Sequence, residues 1–490
     1  MTSTSFAPAT PTPPPFAGPP SHGQPAGTWE LRRVLRAETG YDLVVAGGGP
    51  AGAAAAVCAA RLGAKVLLVE GTGCLGGMGT SGLVTAFDPM ANGEEGLVGG
   101  FMREVVEELF ARGFLGPEVT PDYWRKRYMT WTPFNAEGCK LVLDEKMVAA
   151  GVEVRFFTRV IDVDADAAAR HVNGVVLNNV EGHAYVSARA FIDCTGDAIL
   201  AALCSCACRE AGRDTPHIMP ATLPSLFAGI DWERLHAWRR EHGHEQHSGI
   251  IRKGIAEGLF LQPDLHLVGL SRIGPTVGYL NGGHLFGLDA LRCRDLSHGA
   301  MLGRRIARDY IAFYRKHIPG CENLEHVTTA SLLGIRESRR IVGEYELNLR
   351  DYLARREFPD QIGVFNKYVD IHPYDCSGEE YARFRTEKDT SARLGPGERF
   401  GIPYGILVPR GWKNLWVAGR CASSDVAVHG SIRVQPAASM MGQAAGVAAV
   451  QSIRSGKPAA EIDTAALVET LRGQGAHLPQ NDFSRTLTSV

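Results

Sequence analysis

The sequence contains no CxxC pair, although eleven cysteines are spread over its 490 residues. An odd number of cysteines without paired spacing predicts neither a disulfide framework nor a dithiol redox centre, and it favours a reducing, cytoplasmic location. Cys204, Cys206 and Cys208 alternate along one segment, which is a poor spacing for zinc ligands. We therefore interpret them as small apolar core residues and predict no metal site.

An excess of charge of one sign is also missing. The formal net charge is -2, and charged residues make up 21% of the chain, as in ordinary globular proteins. The basic pairs Arg32-Arg33 and Arg339-Arg340 stand without the clustered basic and aromatic residues of a nucleic-acid surface. These features predict a protein that does not bind nucleic acid.

No apolar run is long enough to predict a membrane span. Residues 43–69 come nearest, but Arg61 and Lys65 interrupt them. The first 25 residues contain eight of the 27 prolines and lack the apolar segment of a secretory signal. We predict that residues 1–27 are a disordered leader and that the protein is cytoplasmic, with no membrane span.

From Tyr41 onward the sequence has the pattern of a βαβ unit. The apolar run YDLVVAG predicts a strand, the small residues PAGAAAAVCAARLG predict a helix, and AKVLLVE predicts a second buried strand. Further strands are predicted over 152–157, 188–196 and 414–420, and further helices over 28–39, 97–113, 139–150, 297–317 (begun by a Ser N-cap) and 436–452.

Gly47, Gly49 and Gly52 form G-x-G-x-x-G between the first strand and its helix, with Pro50 and Ala51 inside the motif. In this context Gly47 makes the tight turn, Gly49 lets the backbone approach a pyrophosphate, and Gly52 lets the helix pack against the strand. The dipole of the helix N-terminus also favours phosphate. The motif therefore predicts that the chain binds a dinucleotide.

Glu70 ends the second strand, 18 residues after Gly52. An acidic side chain there accepts hydrogen bonds from the adenosine ribose hydroxyls and disfavours the 2'-phosphate of NADP. FAD and NAD share this ADP half, so the fingerprint alone leaves both open. No second strand–turn–helix unit carries such a fingerprint, which argues against a separate NAD(P)H-binding domain.

Several segments together carry a family resemblance. They are CLGGMGT at 74–80, ARAFIDCTGD at 188–197, GIRESRRIVGEYEL at 334–347, NLWVAGRCASS at 414–424 and GSIRVQPAASMMGQAAG at 430–446. The combination resembles the bacterial FAD-dependent oxidoreductase family of the glutathione-reductase-like superfamily, and more loosely the flavin dehydrogenases of the fumarate reductase type. The resemblance implies one FAD per chain and an α/β fold, in which a Rossmann-type FAD-binding domain carries an inserted α+β substrate domain.

The predicted domains follow from this resemblance and from a change in composition, because histidine, arginine and aromatic residues become more frequent between 210 and 400. We predict a leader over 1–27, the first part of the FAD-binding domain over 28–209, the substrate domain over 210–400, the final strand and helix of the FAD-binding domain over 401–455, and a C-terminal tail over 456–490.

The resemblance also implies which residues contact FAD. It places segments 76–80 and 195–197 near the nucleotide and directs the helix after Pro436 at the flavin, where negative charge collects on reduction. Relatives end the last strand in Gly-Asp, whereas this chain has Gly419-Arg420, which leaves the ribityl partner open. The predicted contacts are Gly47, Gly49, Pro50, Ala51, Gly52, Glu70, Gly76, Gly77, Thr80, Val160, Thr195, Gly196, Asp197, Gly419, Arg420, Gln435, Pro436 and Ser439.

Dehydrogenation by a flavin needs a base that removes a proton as hydride leaves the substrate. The segment AVHGSIRVQP enters the helix directed at the flavin, so we predict His429 as this base and Arg433 as a partner for a substrate carboxylate or hydroxyl. His284 and His372, in the substrate region, are further catalytic candidates. Arg336 is interpreted as structural, because most buried polar residues simply satisfy their neighbours.

These residues predict an enzyme that dehydrogenates a small polar organic substrate by hydride transfer from carbon to flavin N5. Oxygen or an external carrier then reoxidises the flavin. Two alternatives stay open: an ene-type reductase or monooxygenase that receives electrons from outside, and a non-catalytic electron-transfer subunit. Whether the chain forms a homo-oligomer is also open.

Overall fold

The computed structural model describes residues 27–390 and 393–480 together with Gly18 and Gly23, and it describes side chains at these positions except 387–390. The predicted leader lies almost entirely outside the described residues, as do the last ten residues of the predicted tail.

The strands of the described residues are β1 (Arg36–Ala46), β2 (Val66–Val69), β3 (Ala86–Phe87), β4 (Thr132–Pro133), β5 (Glu153–Arg155), β6 (Arg159–Asp166), β7 (His171–Asn179), β8 (Gly182–Asp193), β9 (Cys208–Glu210), β10 (Ala221–Thr222), β11 (Ser225–Ala228), β12 (Ser271–Arg272), β13 (Gly278–Leu280), β14 (His284–Leu285), β15 (Glu325–Thr329), β16 (Arg339–Ile341), β17 (Gln361–Phe365), β18 (Phe400–Pro403) and β19 (Leu415–Val417). The helices are α1 (Pro50–Arg61), α2 (Gly100–Ala111), α3 (Asp122–Arg125), α4 (Ala136–Ala150), α5 (Ile199–Leu203), α6 (Trp232–His242), α7 (Glu245–Ser248), α8 (Ile251–Ala256), α9 (Cys293–His317), α10 (Leu349–Leu353), α11 (Gly378–Thr390), α12 (Val426–Ile432), α13 (Gln435–Ser455) and α14 (Thr464–Gly473).

A seven-stranded sheet forms the centre of the nucleotide-binding part. Strands β5, β2, β1 and β8 lie side by side in parallel, and β19 joins β8 in the same direction. β7 and β6 continue the sheet antiparallel. The buried residues of β1 and β2 run in register from Leu43 opposite Val66 to Ala46 opposite Val69. Parallel strands buried on both faces appear as continuous apolar runs in a sequence, and the predicted βαβ unit is confirmed.

Helices α1 and α13 pack against each other through small residues. A Cβ built at Gly442 of α13 would lie 1.9 Å from the carbonyl oxygen of Ala51, and one at Gly446 would lie 2.3 Å from that of Ala55. No side chain fits between the two backbones, so only glycine allows this close approach. The contact brings a late segment of the chain against the helix that follows the glycine fingerprint.

A second hydrophobic core lies apart from the sheet and draws most of its residues from 221–333. It combines β11, β13 and β15 with α6, α8 and the long helix α9, which buries Ile306, Tyr310 and Phe313 on one face. The Rossmann-type α/β fold with an inserted α+β region is therefore confirmed. The exact domain limits stay a prediction, and β17 and β18 pack into the first core.

Two predicted helices differ from the structure. The helix predicted over 28–39 is wrong, because β1 begins at Arg36 and pairs with β8 along the sheet. Helix α9 begins at Cys293, so Ser297 is not its N-cap; the Ser297 hydroxyl donates instead to the Cys293 carbonyl oxygen at 2.9 Å, inside the helix. None of the described helices combines the length and the apolar character needed to cross a membrane.

The cysteines are free, as predicted. Cys204 and Cys206 are buried in the core on one face of the sheet. Burial raises the pKa of the Cys204 thiol to about 12, so it stays protonated at neutral pH. These cysteines therefore behave as small apolar residues.

Candidate active site

A cavity of about 1190 Å³ is lined by residues of both hydrophobic cores. Pockets for drug-sized ligands typically have about 300–1,000 Å³, so this cavity has room for a long cofactor and a small second molecule. We call the part lined by 46–51, 69–72, 158–160, 194–197 and 418–420 the nucleotide end, and the part lined by 265–268, 330–336 and residues between 367 and 372 the substrate end.

The fingerprint glycines shape the nucleotide end. A Cβ at Gly47 would lie 2.5 Å from the carbonyl oxygen of Cys194, and one at Gly52 would lie 1.8 Å from that of Gly47. Gly49 differs, because a Cβ there would meet no protein atom within 4 Å. Gly49 is the N-cap of α1 and lines the cavity, so this open space lies at the positive end of a helix, as pyrophosphate binding requires.

Glu70 lines the cavity at the end of β2. Its Oε2 accepts a hydrogen bond from the amide of Gly48 at 2.7 Å, and its Oε1 accepts one from the amide of Thr72 at 2.7 Å. Each carboxylate oxygen has two acceptor sites, so the side chain is fixed in place and can still accept bonds from two hydroxyl groups. This geometry fits the predicted ribose contact.

Most of the predicted FAD contacts lie on the cavity wall. Those that line it are Gly47, Gly49, Pro50, Ala51, Glu70, Gly77, Val160, Thr195, Gly196, Asp197, Gly419, Arg420 and Gln435. Five predicted contacts, Gly52, Gly76, Thr80, Pro436 and Ser439, are not among the residues of the wall. Thr80, for example, donates its hydroxyl to the carbonyl oxygen of Leu75 behind the loop, so it shapes the loop from within.

Arg420 stands where the resemblance leads one to expect an acid. Its Nη2 donates to Oδ1 of Asp197 at 2.6 Å, and its Nη1 donates to the hydroxyl of Ser338 at 3.1 Å. Asp197 and Arg420 both line the cavity. Arg420 is therefore paired with an acid from the loop after β8, so an ion pair rather than a lone carboxylate stands at the end of β19.

The start of α13 closes the nucleotide end. Gln435 lines the cavity, and its Nε2 donates to the carbonyl oxygens of Val84 and Ala86 at 2.7 and 3.2 Å. One turn further, the buried hydroxyl of Ser439 has no hydrogen-bond partner among the described residues. The open space at Gly49 and the two helix N-termini together fit a ligand with phosphates and polar ring edges, such as FAD.

Two of the predicted catalytic histidines meet at the substrate end. His284 Nε2 lies 3.0 Å from His372 Nδ1, and His284 Nδ1 lies 3.3 Å from Oδ1 of Asp264. Asp264 also accepts hydrogen bonds from the Tyr381 hydroxyl and from the His284 amide. His372 lines the cavity, whereas His284 is fully buried. The groups form a chain from the interior to the cavity wall.

The hydrogen-bond partners determine where the protons lie in this chain. Burial raises the pKa of Asp264, but the neighbouring His284 and Tyr381 lower it by more, so the carboxylate is ionised. Burial lowers the pKa of His284 and of His372, so both rings are neutral at pH 7. An ionised carboxylate only accepts, so His284 donates from Nδ1 and accepts at Nε2. His372 then donates from Nδ1, and its Nε2 lies 3.6 Å from a second carboxylate, Oδ1 of Asp370. Between the two carboxylates the rings have three positions for a proton and carry two, so the pair can take up one more.

One nitrogen from each of His266, His284 and His372 lies within 4.8 Å of the others, a spacing that suits a metal ion. The ring orientations do not suit one. The rings of His266 and His284 stack with centroids 4.1 Å apart and 12° between their planes. Imidazole binds a metal in the ring plane, so two stacked rings cannot both direct a lone pair at one ion. We interpret His284 and His372 as a hydrogen-bonded pair with the His266 ring stacked on His284, and the absence of a metal site stays a prediction.

Two ion pairs lie at the same end. Arg433 Nη2 donates to Oδ2 of Asp370 at 3.1 Å, and Lys367 pairs with Asp88. Burial raises the pKa of Asp370, but His372 and Lys367 lower it by more, so this carboxylate is ionised. Arg433 lines the cavity as predicted for a substrate contact, with part of its guanidinium already bound to Asp370.

His429, predicted as the base, does not belong to the cavity wall. Its ring is buried, and its Nε2 lies 2.9 Å from the backbone carbonyl oxygen of Arg336. Burial lowers the pKa of His429 well below its usual range, so the neutral ring donates from Nε2. Because that nitrogen is occupied, the structure favours His372 over His429 as the group that faces a substrate.

The sequence reasoning missed Asp264, His266 and Asp370 as members of this site. A signal for them was present, because Asp-x-His occurs at 264–266 and again at 370–372. The two segments are far apart in the chain, and only the fold brings them to one cavity wall.

A Rossmann-type sheet with a pyrophosphate site, a ribose acid and a neutral histidine on one cavity is typical of an oxidoreductase that uses a dinucleotide cofactor. The comparison with family models identifies the family. Residues 42–471 match the model described as FAD dependent oxidoreductase, so the chain belongs to this family, and FAD is its cofactor.

Solved structures that resemble the chain are distant in sequence. A geranylgeranyl bacteriochlorophyll reductase-like protein from Thermoplasma acidophilum is 13% identical (89% of this chain and 82% of that chain covered, TM-score 0.44). The p-nitrophenol 4-monooxygenase PnpA from Pseudomonas putida DLL-E4 is 12% identical (89% and 81%, TM-score 0.41), and the myxobacterial chondrochloren halogenase CndH is 16% identical (89% and 78%, TM-score 0.39). No curated protein matches the chain.

Proposed function

We propose that this FAD-dependent oxidoreductase dehydrogenates a small polar organic substrate. FAD supplies the hydride acceptor at flavin N5. The observation that carries the proposal is the hydrogen-bonded chain Asp264–His284–His372, which ends on the cavity wall at a neutral histidine ring with an ionised carboxylate beside it. A neutral histidine in that state is ready to accept a proton from a substrate hydroxyl or amine.

His372 is the proposed proton acceptor, and its neighbours suit that role. Its Nε2 lies 3.6 Å from Oδ1 of Asp370, so an ionised carboxylate stands beside the charge that the ring acquires on protonation. On the other side of the ring, His284 and the ionised Asp264 fix the tautomer and the ring orientation. The remaining candidate Arg433 holds Asp370 in place through its 3.1 Å contact, and we propose that its free nitrogens contact the substrate.

We also propose that oxygen or an external carrier reoxidises the flavin, because α1 is the one α-helix among the described residues that begins at a G-x-G-x-x-G fingerprint. Membership of the glutathione-reductase-like superfamily and a cytoplasmic location remain part of this proposal. The family and the sheet order support the first, and the free cysteines suit a reducing compartment.

The test is the absorbance of the purified FAD-bound protein under anaerobic conditions, with a panel of alcohols, sugars, amines and organic acids and without NADH. Bleaching of the flavin by one member of the panel is the expected result. If the flavin is bleached only by an added reductase or an external electron donor, the protein is a reductase or monooxygenase instead. If no compound is turned over and a partner protein co-purifies stably, an electron-transfer subunit is indicated.

A further inference from the structure

Arg336 differs from the other buried cations at the substrate end. The residue is 5% exposed and lines the cavity. Even so, no carboxylate oxygen of the described residues lies within 4.0 Å of its guanidinium nitrogens, the distance at which an ion pair forms. By contrast, Arg433 pairs with Asp370 and Lys367 pairs with Asp88. A buried charge without a partner is costly, so such a charge in a cavity wall indicates that a ligand supplies the partner.

The protein holds the Arg336 guanidinium in place from behind. Its Nη1 donates to the carbonyl oxygen of Pro220, and its own backbone carbonyl accepts the hydrogen bond from His429. Burial, and then the charge of Arg433, lower the pKa of Arg336 to about 9, so the group is still cationic at neutral pH. The side chain is therefore positioned by its surroundings while part of its hydrogen-bonding capacity stays available to the cavity.

The charge around the cavity also favours an anionic ligand. Arg252, Arg304 and Arg385 line the same cavity and are exposed to solvent. Positive groups on the wall of a cleft raise the local concentration of anions and speed their association.

We propose that the substrate carries a carboxylate group and that Arg336 binds it. This inference deepens the proposed function and rests on it in one respect, the assignment of this end of the cavity to the substrate. A carboxylate matches Arg336 in both charge and shape, because a single unpaired guanidinium balances one negative charge and its planar fork binds two oxygens at once. A phosphate dianion would leave a charge unbalanced beside the neutral rings of His266 and His372.

The experiment measures binding rather than turnover, so it does not depend on the proposed dehydrogenation. The FAD-bound protein is titrated at constant ionic strength with sodium acetate, sodium succinate, inorganic phosphate and the neutral amide acetamide, and the change in the flavin absorbance spectrum gives the Kd. We expect the carboxylates to bind more tightly than phosphate, and acetamide to bind at least tenfold more weakly than acetate.

Arg336→Met is expected to raise the Kd of acetate by about 10-fold to 100-fold, the range typical of a lost charge-assisted hydrogen bond. Arg234→Met is the control, because Arg234 pairs with Glu322 at the surface and does not line the cavity. If Arg336→Met does not retain FAD, Arg336→Lys is used in its place, because lysine keeps the positive charge but lacks the planar fork of the guanidinium. Weaker carboxylate binding by Arg336→Lys than by wild type supports the proposal.

Three results would overturn the carboxylate site. They are wild-type protein that binds no carboxylate, an Arg336 variant that binds acetate as tightly as wild type, and phosphate that binds more tightly than acetate. A different result is also informative: Arg336 binds carboxylates, but no compound bleaches the flavin. That result would support the carboxylate site and contradict the proposed dehydrogenation.

Discussion

The two ends of the cavity are built in different ways. At the nucleotide end, the wall consists of glycine backbones and helix N-termini, and the residues come in short continuous segments such as 46–51. At the substrate end, buried charged and titratable side chains form the site, and Asp264, Arg336 and Asp370 come from separate parts of the chain. The comparison teaches that the nucleotide end is defined by shape and by the closeness of the backbone, whereas the substrate end is defined by side chains that orient one another.

We expect the largest effect from Gly52→Val, a substitution at the nucleotide end. Because a Cβ at this position lies 1.8 Å from the Gly47 carbonyl oxygen, the turn and the helix must separate. We expect purified protein without FAD and a clearly lower Tm, since overpacking typically costs about 1–3 kcal/mol or more. The control is Gly473→Ala, where a Cβ meets no atom within 4 Å. Full FAD content in Gly52→Val would contradict the close approach.

His372→Ala tests the substrate end in the same protein. We expect FAD content and Tm near those of wild type, but anaerobic flavin reduction slower by about 100-fold to 10,000-fold, the usual contribution of a general base. The measurement is stopped-flow absorbance with a substrate found in the panel. His183→Ala, a half-buried histidine of β8 away from the cavity, serves as control. A wild-type rate in His372→Ala would exclude this residue as the base.

Glu70→Gln is a milder change at the nucleotide end. The glutamine side chain keeps one acceptor oxygen, but its NH2 group then faces the backbone N–H of either Gly48 or Thr72, so two donors meet. The substitution also removes an acceptor for the ribose hydroxyls. We expect the Kd for FAD to rise about tenfold, which corresponds to about 1.4 kcal/mol. Fluorescence titration of the apoprotein with FAD measures this, and the exposed Glu181→Gln should bind as wild type does.

The smallest expected effect is on the stability of the protein at acidic pH, and it depends on His429. Burial holds the pKa of His429 below its usual value of about 6.5, so below pH 6.5 the unfolded chain binds a proton that the folded chain does not. The stability from this histidine therefore falls as the pH falls, by up to about 1.4 kcal/mol per pH unit. His429→Gln should lose that part of the pH dependence, so its deficit in unfolding free energy against wild type should be smaller at pH 5.5 than at pH 7.5. An unchanged deficit in urea unfolding would show that His429 titrates normally.

The same contrast explains what the sequence allowed one to predict. The βαβ unit, the fingerprint and the place of residues 47 and 49–51 on the cavity wall could be predicted, because each depends on neighbours in the chain and on local rules for glycine and apolar runs. The helix predicted over 28–39 failed because pairing of β1 with β8, more than a hundred residues away, overrode the local pattern.

The roles at the substrate end depend on distance in space. Before the fold is known, His429 beside a cofactor motif and His372 in the substrate region are both candidates, and nothing local shows that one meets a backbone carbonyl and the other a cavity. Arg336 was interpreted as structural for the same reason, since the lack of a carboxylate partner is a property of the packed chain. The repeated Asp-x-His pattern is the local signal that sequence reasoning overlooked.

The glycine contact between α1 and α13 also bears on the order of events during synthesis. Helix α1 is made early, but the partner that covers it, with Gly442 and Gly446 against Ala51 and Ala55, is made near the end of the chain. While a ribosome is still extending the chain, the fingerprint lacks this cover, and the wall contributed by 418–438 does not yet exist. We therefore expect chains that stop before α13 to accumulate without flavin.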